Sequence, residues 1–235
     1  MKRKAICLLS GGLDSTTLLF YLREMDYELL ALSVGYGQRH VRELAAGLLI
    51  AREAQVPILQ LNLGILGPLL KGSSQTSFDV PVPEGHYSAD NMAITVVPNR
   101  NMILLSLATA WAISERANLV AYAAHIGDHD QYPDCRQVFI DALREAIKLC
   151  DNNPPELIAP FSKIPKAKIV SLAETLKVPL HLTYSCYSGG EKHCGRCGTC
   201  VERAEAFYLA GVTDPTEYED AEYWKKVIPD YELKK

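Results

Sequence analysis

Residues 10–17 read Ser-Gly-Gly-Leu-Asp-Ser-Thr-Thr and carry the clearest chemistry in the chain. They follow a short apolar run, residues 5–9, with the character of a buried strand. They precede Leu18, Leu19 and Leu22, spaced for the inner face of a helix. Gly11 and Gly12 can adopt backbone angles closed to other residues, so their N–H groups can converge on one point. The helix that follows adds unpaired N–H groups and the positive end of its dipole. Ser10, Ser15, Thr16 and Thr17 add hydroxyl donors. The ligand that suits such a cup is a phosphate or pyrophosphate. The plainer alternative is an ordinary Gly-Gly turn with a Ser or Asp cap.

A second constellation lies near the other end. Cys194-x2-Cys197-x2-Cys200, with Cys186 eight residues earlier, offers four thiolates. Two-residue spacers let the chain turn and present successive sulfurs to one ion, and four thiolates around zinc form a closed structural site. The tract holds Gly189, Gly190, Gly195 and Gly198 and few apolar side chains, so burial alone cannot order it. An iron–sulfur cluster is the rival, although the Cys-Pro ending of ferredoxin motifs is absent: Val201 follows Cys200. A zinc ribbon normally needs a second, separated C-x2-C knuckle.

The remaining candidates are weaker singly. Gln38-Arg39-His40 reads as a solvated helix start. Asn99 can cap the longest helix, which leaves Arg100 and Asn101 pointing from its first turn into a crevice. Asp134 can cap the next helix, or accept the N–H pair of a guanine-like edge. Cys135, at a helix start, is a lowered-pKa thiol or a buried structural one. His125, Asp128 and His129 form a metal pair, a proton relay or a polar loop. Lys166 reads as a surface lysine or a phosphate ligand. Lys192, His193 and Arg196 read as the solvated rim of the cysteine loop.

These residues need elements to hold them. The spacing predicts strands at about 5–9, 28–34, 56–63, 119–124 and 157–159. It predicts helices at about 15–25, 39–55, 99–117, 135–150, after Pro165, and 200–210. Residues 64–92, rich in Gly, Pro and Ser, read as a short helix and a mobile loop. Strands alternate with helices and are apolar throughout, which predicts an α/β fold with a parallel sheet covered by helices on both faces. Ligands bind such sheets at the carboxyl ends of the strands. Residues 10–17, 35–40 and 125–136 all fall at such ends.

Composition sets the outer bounds. The chain has 235 residues, 48% of them hydrophobic, which suits one packed domain spanning 1–235 with a metal-binding sub-region at 186–200. A net charge of −4 argues against a grip on long nucleic acid. No apolar run reaches membrane-spanning length, and the expected location is the cytoplasm. Seven cysteines, four of them clustered, suit a metal site in a reducing compartment rather than a disulfide framework.

The loop at residues 10–17 lacks the lysine and spacing of a Walker loop. It resembles instead the S-G-G-x-D-S PP-loop of ATP pyrophosphatases, of the adenine nucleotide alpha hydrolase-like fold. That resemblance deepens when Gln38-Arg39-His40, Pro98, Arg100-Asn101, Tyr132-Pro133-Asp134-Cys135-Arg136, residues 183–187 and the four cysteines are added. Together they resemble the 7-cyano-7-deazaguanine synthase family, across residues 10–200. The resemblance implies ATP-dependent conversion of 7-carboxy-7-deazaguanine and ammonia into the nitrile, through an adenylated carboxylate and then an adenylated amide, in queuosine or archaeosine precursor biosynthesis. It implies ATP with Mg2+ around Leu9, Ser10, Gly11, Gly12, Leu13, Asp14, Ser15, Thr16, Thr17, Leu18 and Leu19. It implies one Zn2+ per chain at Cys186, Cys194, Cys197 and Cys200, and a homodimer; charge and apolar-run length predict no nucleic-acid or membrane partner. Ser10 and Asp14 are the catalytic candidates in the loop; Arg100, Asp134 and Arg136 are candidates for holding substrate or phosphate. A tRNA-modifying PP-loop enzyme, of thiolase or lysidine synthase type, is the alternative. A non-enzymatic zinc-binding protein leaves the loop unexplained.

Overall fold

The computed structural model describes residues 2–87 and 90–228. Five parallel strands form one sheet in the order β3-β2-β1-β4-β5. They are β1 (Lys4–Leu8), β2 (Glu28–Gly35), β3 (Ile58–Asn62), β4 (Leu119–Ala121) and β5 (Glu156–Ile158). The helices are α1 (Leu13–Glu24), α2 (Arg42–Glu53), α3 (Arg100–Ser114), α4 (Gln137–Ile147), α5 (Lys166–Thr175), α6 (Gly198–Ala210) and α7 (Tyr223–Val227). The chain builds outward from β1 to β3, then returns to the other side of β1 for β4 and β5. The strand order therefore reverses between β1 and β4, where a crevice opens at the carboxyl ends.

Side-chain alternation divides the core into two layers. Ile6, Leu32 and Val120 face α3 and α4, and pack with Leu105, Ala108, Ile140 and Leu143. Ala5, Cys7, Ala31 and Ala121 face the other way, toward Leu18, Leu22, Ile50, Ile169 and Phe207 of α1, α2, α5 and α6. Small residues on that face let four helices approach the sheet. Ile6 and Leu32 are wholly buried, each contributing about 1.5–3 kcal/mol by leaving water. Among the described residues, no helix is long and apolar enough to cross a membrane.

The predicted elements are all present, with ends moved. The helix expected from residue 39 begins at Arg42, and the strand expected to reach 124 stops at Ala121. The segment expected as a mobile loop is held at its centre. The Arg39 guanidinium donates to the carbonyls of Ser77 (2.9 Å) and Phe78 (3.2 Å), and Ser73 and Ser74 are fully buried. Arg39 is thus a clamp rather than a solvated helix start.

The α3 cap also differs from expectation. Asn99 has φ +56° and makes no side-chain cap bond. The cap arrives from another segment: the Asn101 N–H donates to Asp134 Oδ2 at 2.9 Å. Asp134 is therefore occupied as a capping carboxylate on α3. Asp134→Ala is expected to destabilise the fold by about 1 kcal/mol, read as a lowered urea midpoint with an unchanged slope.

Candidate active site

The loop between β1 and α1 is shaped by close packing. Gly11 has φ +96°, and a Cβ there would lie 2.1 Å from the Glu43 carbonyl oxygen and 2.7 Å from the Gly47 nitrogen. Only glycine lets α2 approach the loop this closely. Beside it the hydroxyls are ordered in advance: Ser10 Oγ lies 3.0 Å from Ser15 Oγ, and the Gly12 N–H donates to Ser10 Oγ at 3.3 Å. Leu9, Ser10, Gly12, Leu13, Asp14 and Ser15 line a cleft of about 240 Å³. The other loop positions serve the fold. Thr16 and Thr17, both fully buried, donate their hydroxyls to the carbonyls of Gly12 and Leu13 at 2.7 and 2.8 Å. Leu18 and Leu19 lie in the core.

A charged network faces the loop from α5, α6 and the segment after β4. Lys166 Nζ lies 3.1 Å from Asp14 Oδ2 and 2.8 Å from Glu202 Oε2. Burial pushes the Asp14 carboxyl upward, but Lys166 and His125 outweigh it and hold the group below the ordinary carboxylate range. Asp14 Oδ1 is buried without a hydrogen-bond partner among the described residues. An oxygen in that state beside a phosphate cup fits a metal-bound phosphate ligand. His125 is buried, and its Nδ1 accepts from the Gly127 N–H at 3.1 Å. That acceptor role assigns the ring proton to Nε2, which faces Asp128 (3.6 Å), Glu202 (3.7 Å) and Asp14 (4.0 Å). Asp128 in turn accepts from the Tyr87 hydroxyl at 3.2 Å. His125 and Asp128 thus brace the acidic groups.

Sequence reasoning undervalued Lys166 and gave Glu202 no role. Lys166 sits in the first turn of an amphipathic helix, where surface lysines are common, and only the fold turns it onto Asp14. No local pattern marks Glu202, which lies one turn into the helix that the cysteines begin.

The other candidates separate. Arg100 lines the cleft with Asn101 and Cys135, its guanidinium 5.6 Å over the Tyr132 ring. No carboxylate lies within ion-pair distance of it among the described residues, although the more distant Asp134 carboxylate favours its charged form. Arg136 turns away: its guanidinium donates to the carbonyls of His129 (2.7 Å) and Asp130 (3.4 Å), outside the cleft lining. Burial pushes the Cys135 thiol well above its usual range, so it is an inert thiol accepting from Asn101 Nδ2 at 3.2 Å.

The four cysteine sulfurs converge. Cys186, Cys194, Cys197 and Cys200 place Sγ atoms within 4.8 Å of one another, and Cys194 and Cys200 are 3.9 Å apart. Thiolates about 2.3 Å from a tetrahedral ion stand about 3.8 Å from each other, so the donor set fits one closed ion site. The N–H groups of Arg196 (3.4 Å) and Cys197 (3.3 Å) both donate to Cys194 Sγ, as second-sphere bonds to a thiolate should. The loop is joined to the cleft. The Tyr184 N–H donates to the Gly11 carbonyl at 3.0 Å. Ser185 donates its N–H to His193 Nε2 (3.1 Å) and accepts from the Thr199 hydroxyl (2.8 Å). Arg203, fully buried, donates to the Thr183 hydroxyl at 2.8 Å and pairs with Asp214 at 3.2 Å. Rather than lying on a solvated rim, His193 is 6% exposed and anchors a cleft-lining strand of chain.

A Ser-Gly-Gly-x-Asp-Ser loop at the end of the central strand, facing a cleft at the point where strand order reverses, defines a PP-loop nucleotide-binding enzyme. Solved structures agree on the fold. A 4-thiouridine synthetase in an RNA complex with bound ATP aligns over 99% of this chain and 52% of its own, with TM-score 0.51 and 17% identity. The NMN synthetase of Francisella tularensis aligns over 96% of this chain and 84% of its own, with TM-score 0.50 and 11% identity.

Within that class the chain belongs to the family described as queuosine biosynthesis protein QueC, whose model matches residues 4–211. A 7-cyano-7-deazaguanine synthase of Caldicellulosiruptor saccharolyticus is 47% identical, covering 92% of this chain and 96% of that protein. One from Agrobacterium fabrum is 48% identical, over 94% of each chain. A relative of the same name from Methanoregula boonei is 47% identical, over 92% of this chain and 99% of its own.

Proposed function

We propose that this chain converts 7-carboxy-7-deazaguanine, ammonia and ATP into 7-cyano-7-deazaguanine, AMP and pyrophosphate, acting as a carbon–nitrogen ligase. The observation that carries this reading is the juxtaposition, in one cleft, of the phosphate cup with Arg100, a cation without a carboxylate partner among the described residues. Such a guanidinium suits the carboxylate of an incoming substrate. The cup of Ser10, Gly12 and Ser15, with Lys166 beside it, suits a pyrophosphate leaving group.

The chemistry follows from those placements. A carboxylate oxygen of the substrate attacks the α-phosphorus of ATP, the α–β bridge breaks, and the cup retains the departing pyrophosphate. Ammonia then attacks the acyl carbon, AMP leaves with the former carboxylate oxygen, and a proton passes to solvent. A second ATP activates the amide oxygen in the same way. Loss of AMP and the remaining nitrogen protons leaves the nitrile. Asp14 Oδ1 is the atom that would hold a magnesium ion, which when bound offsets phosphate charge. Cys186, Cys194, Cys197 and Cys200 would hold one zinc, whose contribution is to fix the loop's shape. Residues 1–235 act as one unit with the metal loop inside it, working in the cytoplasm as a homodimer on ammonia that arrives free or from a partner.

ATP labelled in the α-phosphate is expected to yield labelled AMP, with pyrophosphate and the nitrile seen by mass spectrometry. Labelled ADP and free phosphate as the only products would contradict the reading of the loop.

A further inference from the structure

Three carboxylates line the cleft: Asp14, Glu43 and Asp128. Asp14 is paired with Lys166. Asp128 accepts from the Tyr87 hydroxyl and, through Oδ2, from the His125 N–H at 3.0 Å. Glu43 makes no ion pair among the described residues, and Gln38 is its one side-chain hydrogen-bond partner there. Its Oε1 accepts from Gln38 Nε2 at 3.2 Å, while Gln38 Oε1 accepts from the Tyr36 N–H at 2.8 Å. One carboxylate oxygen is therefore locked through a side chain that is itself locked, and the second has no protein hydrogen bond among the described residues. The position is fixed as well as the orientation, because Glu43 lies in the first turn of α2, whose backbone Gly11 contacts closely. Arg100, Tyr36, Val34, Leu44 and Leu104 line the same cleft.

We infer that Glu43 is the specificity-determining residue that reads the edge of the deazaguanine ring formed by its ring N–H and 2-amino group. The inference rests on the activity proposed above. That edge presents two parallel N–H donors, from the ring nitrogen and the exocyclic amine, which match the two oxygens of one carboxylate. An adenine ring presents one amino donor beside an acceptor nitrogen, so a carboxylate meets one bond and one repulsion there. Burial raises the Glu43 carboxyl to about 7, with Gln38 and Arg100 opposing the rise. Two ligand N–H donors favour its ionised form, so binding completes the site electrostatically. Asp134, the carboxylate that sequence spacing suggests for this role, is held by the α3 backbone.

The test compares 7-carboxy-7-deazaguanine with its analogue lacking the 2-amino group. The wild-type protein is expected to prefer the amino form about 10- to 100-fold in kcat/KM, since an unmet donor leaves a buried acceptor unpaired. Glu43→Gln, which sets an amide N–H against a ligand N–H, should reduce that preference to about 3-fold or less and lower kcat/KM for the natural substrate about 10-fold or more. KM for ATP should stay within about 2-fold. Glu43→Asp serves the same comparison if Glu43→Gln folds poorly. Unchanged discrimination in an active variant, or a rise in KM confined to ATP, overturns the inference while leaving the activity intact. If wild-type protein makes no nitrile, the activity reading fails. Calorimetric binding of 7-deazaguanine and 7-deazahypoxanthine to both forms then decides the role of Glu43 separately: equal preference in both forms overturns it, and loss of preference in the variant supports it.

Discussion

Asp14→Asn is expected to lower kcat about 100- to 1000-fold while moving the melting temperature by only a few degrees. The carboxylate lies at the rim of the phosphate cup, with Oδ2 on Lys166 and Oδ1 unpartnered. An amide keeps the shape of the group but removes its charge and one of its two acceptor oxygens. A magnesium ion, which Asp14 would hold, would therefore be held more weakly and would offset less of the phosphate charge. The fold tolerates the change because Lys166 retains Glu202 at 2.8 Å, so no cation is left isolated. Ser10→Ala should act in the same direction with a smaller effect, about 10-fold, because Ser15 keeps a hydroxyl at the same place. A large drop in melting temperature with normal specific activity in the folded fraction would show the pair to be structural. The pH dependence has a definite sign. Lys166 and His125 hold Asp14 below the unfolded value near pH 4, so the stability it contributes is complete above that value. It is lost only as pH falls through the lower, folded-state value.

Much of the fold is legible in the chain because its signals are local. The apolar runs of β1 and β2 are buried on both faces, so nothing else competes for them. The helix that becomes α3 is legible from Ile103, Leu104, Leu107, Ala108 and Trp111, although its most buried side carries Leu105, Ala108, Thr109 and Ala112. The site is legible where chemistry is concentrated in one short string, as in the Ser-Gly-Gly-Leu-Asp-Ser loop and the cysteine tract. It is illegible where partners meet only in space. Lys166 looks like any helix-start lysine until α5 is laid beside α1. Asp134 reads as a cap for its own helix because capping is usually sequence-local, yet it caps α3 across 33 residues. Arg136, two residues on, follows a turn that carries its guanidinium to the carbonyls of His129 and Asp130. A one-dimensional pattern places both at a crevice, and it cannot say which way each side chain leaves the backbone. Glu43 shows the converse: an unremarked glutamate at a helix start becomes informative once Gln38 is seen to hold it.

Removing the metal is expected to abolish nucleotide binding as well as turnover, although none of the four cysteines can touch ATP. The tract from Gly189 to Gly198 has little apolar surface of its own, so ion binding and ordering of the loop are one event. Cys186, Cys197 and Cys200 are nevertheless buried in the same core layer as Leu13 and Leu18. Loosening the tract therefore exposes the back of α1. It also releases Tyr184 from the Gly11 carbonyl and Ser185 from His193 and Thr199. Those bonds hold the wall of the phosphate cup, so its N–H groups should no longer converge. The purified protein should be colourless and hold about one zinc per chain, as one complete four-thiolate set requires. Stripping that zinc with a strong chelator should lower the melting temperature by about 10 °C or more and remove calorimetric ATP binding, both restored by zinc. Cys→Ser at any of the four positions should reduce folded yield, whereas Cys150→Ser, at an exposed position, should leave yield and activity unchanged. Full ATP affinity in the stripped protein would separate the metal loop from the cup. A brown protein with near-stoichiometric iron after anaerobic purification would replace zinc with an iron–sulfur cluster at these cysteines.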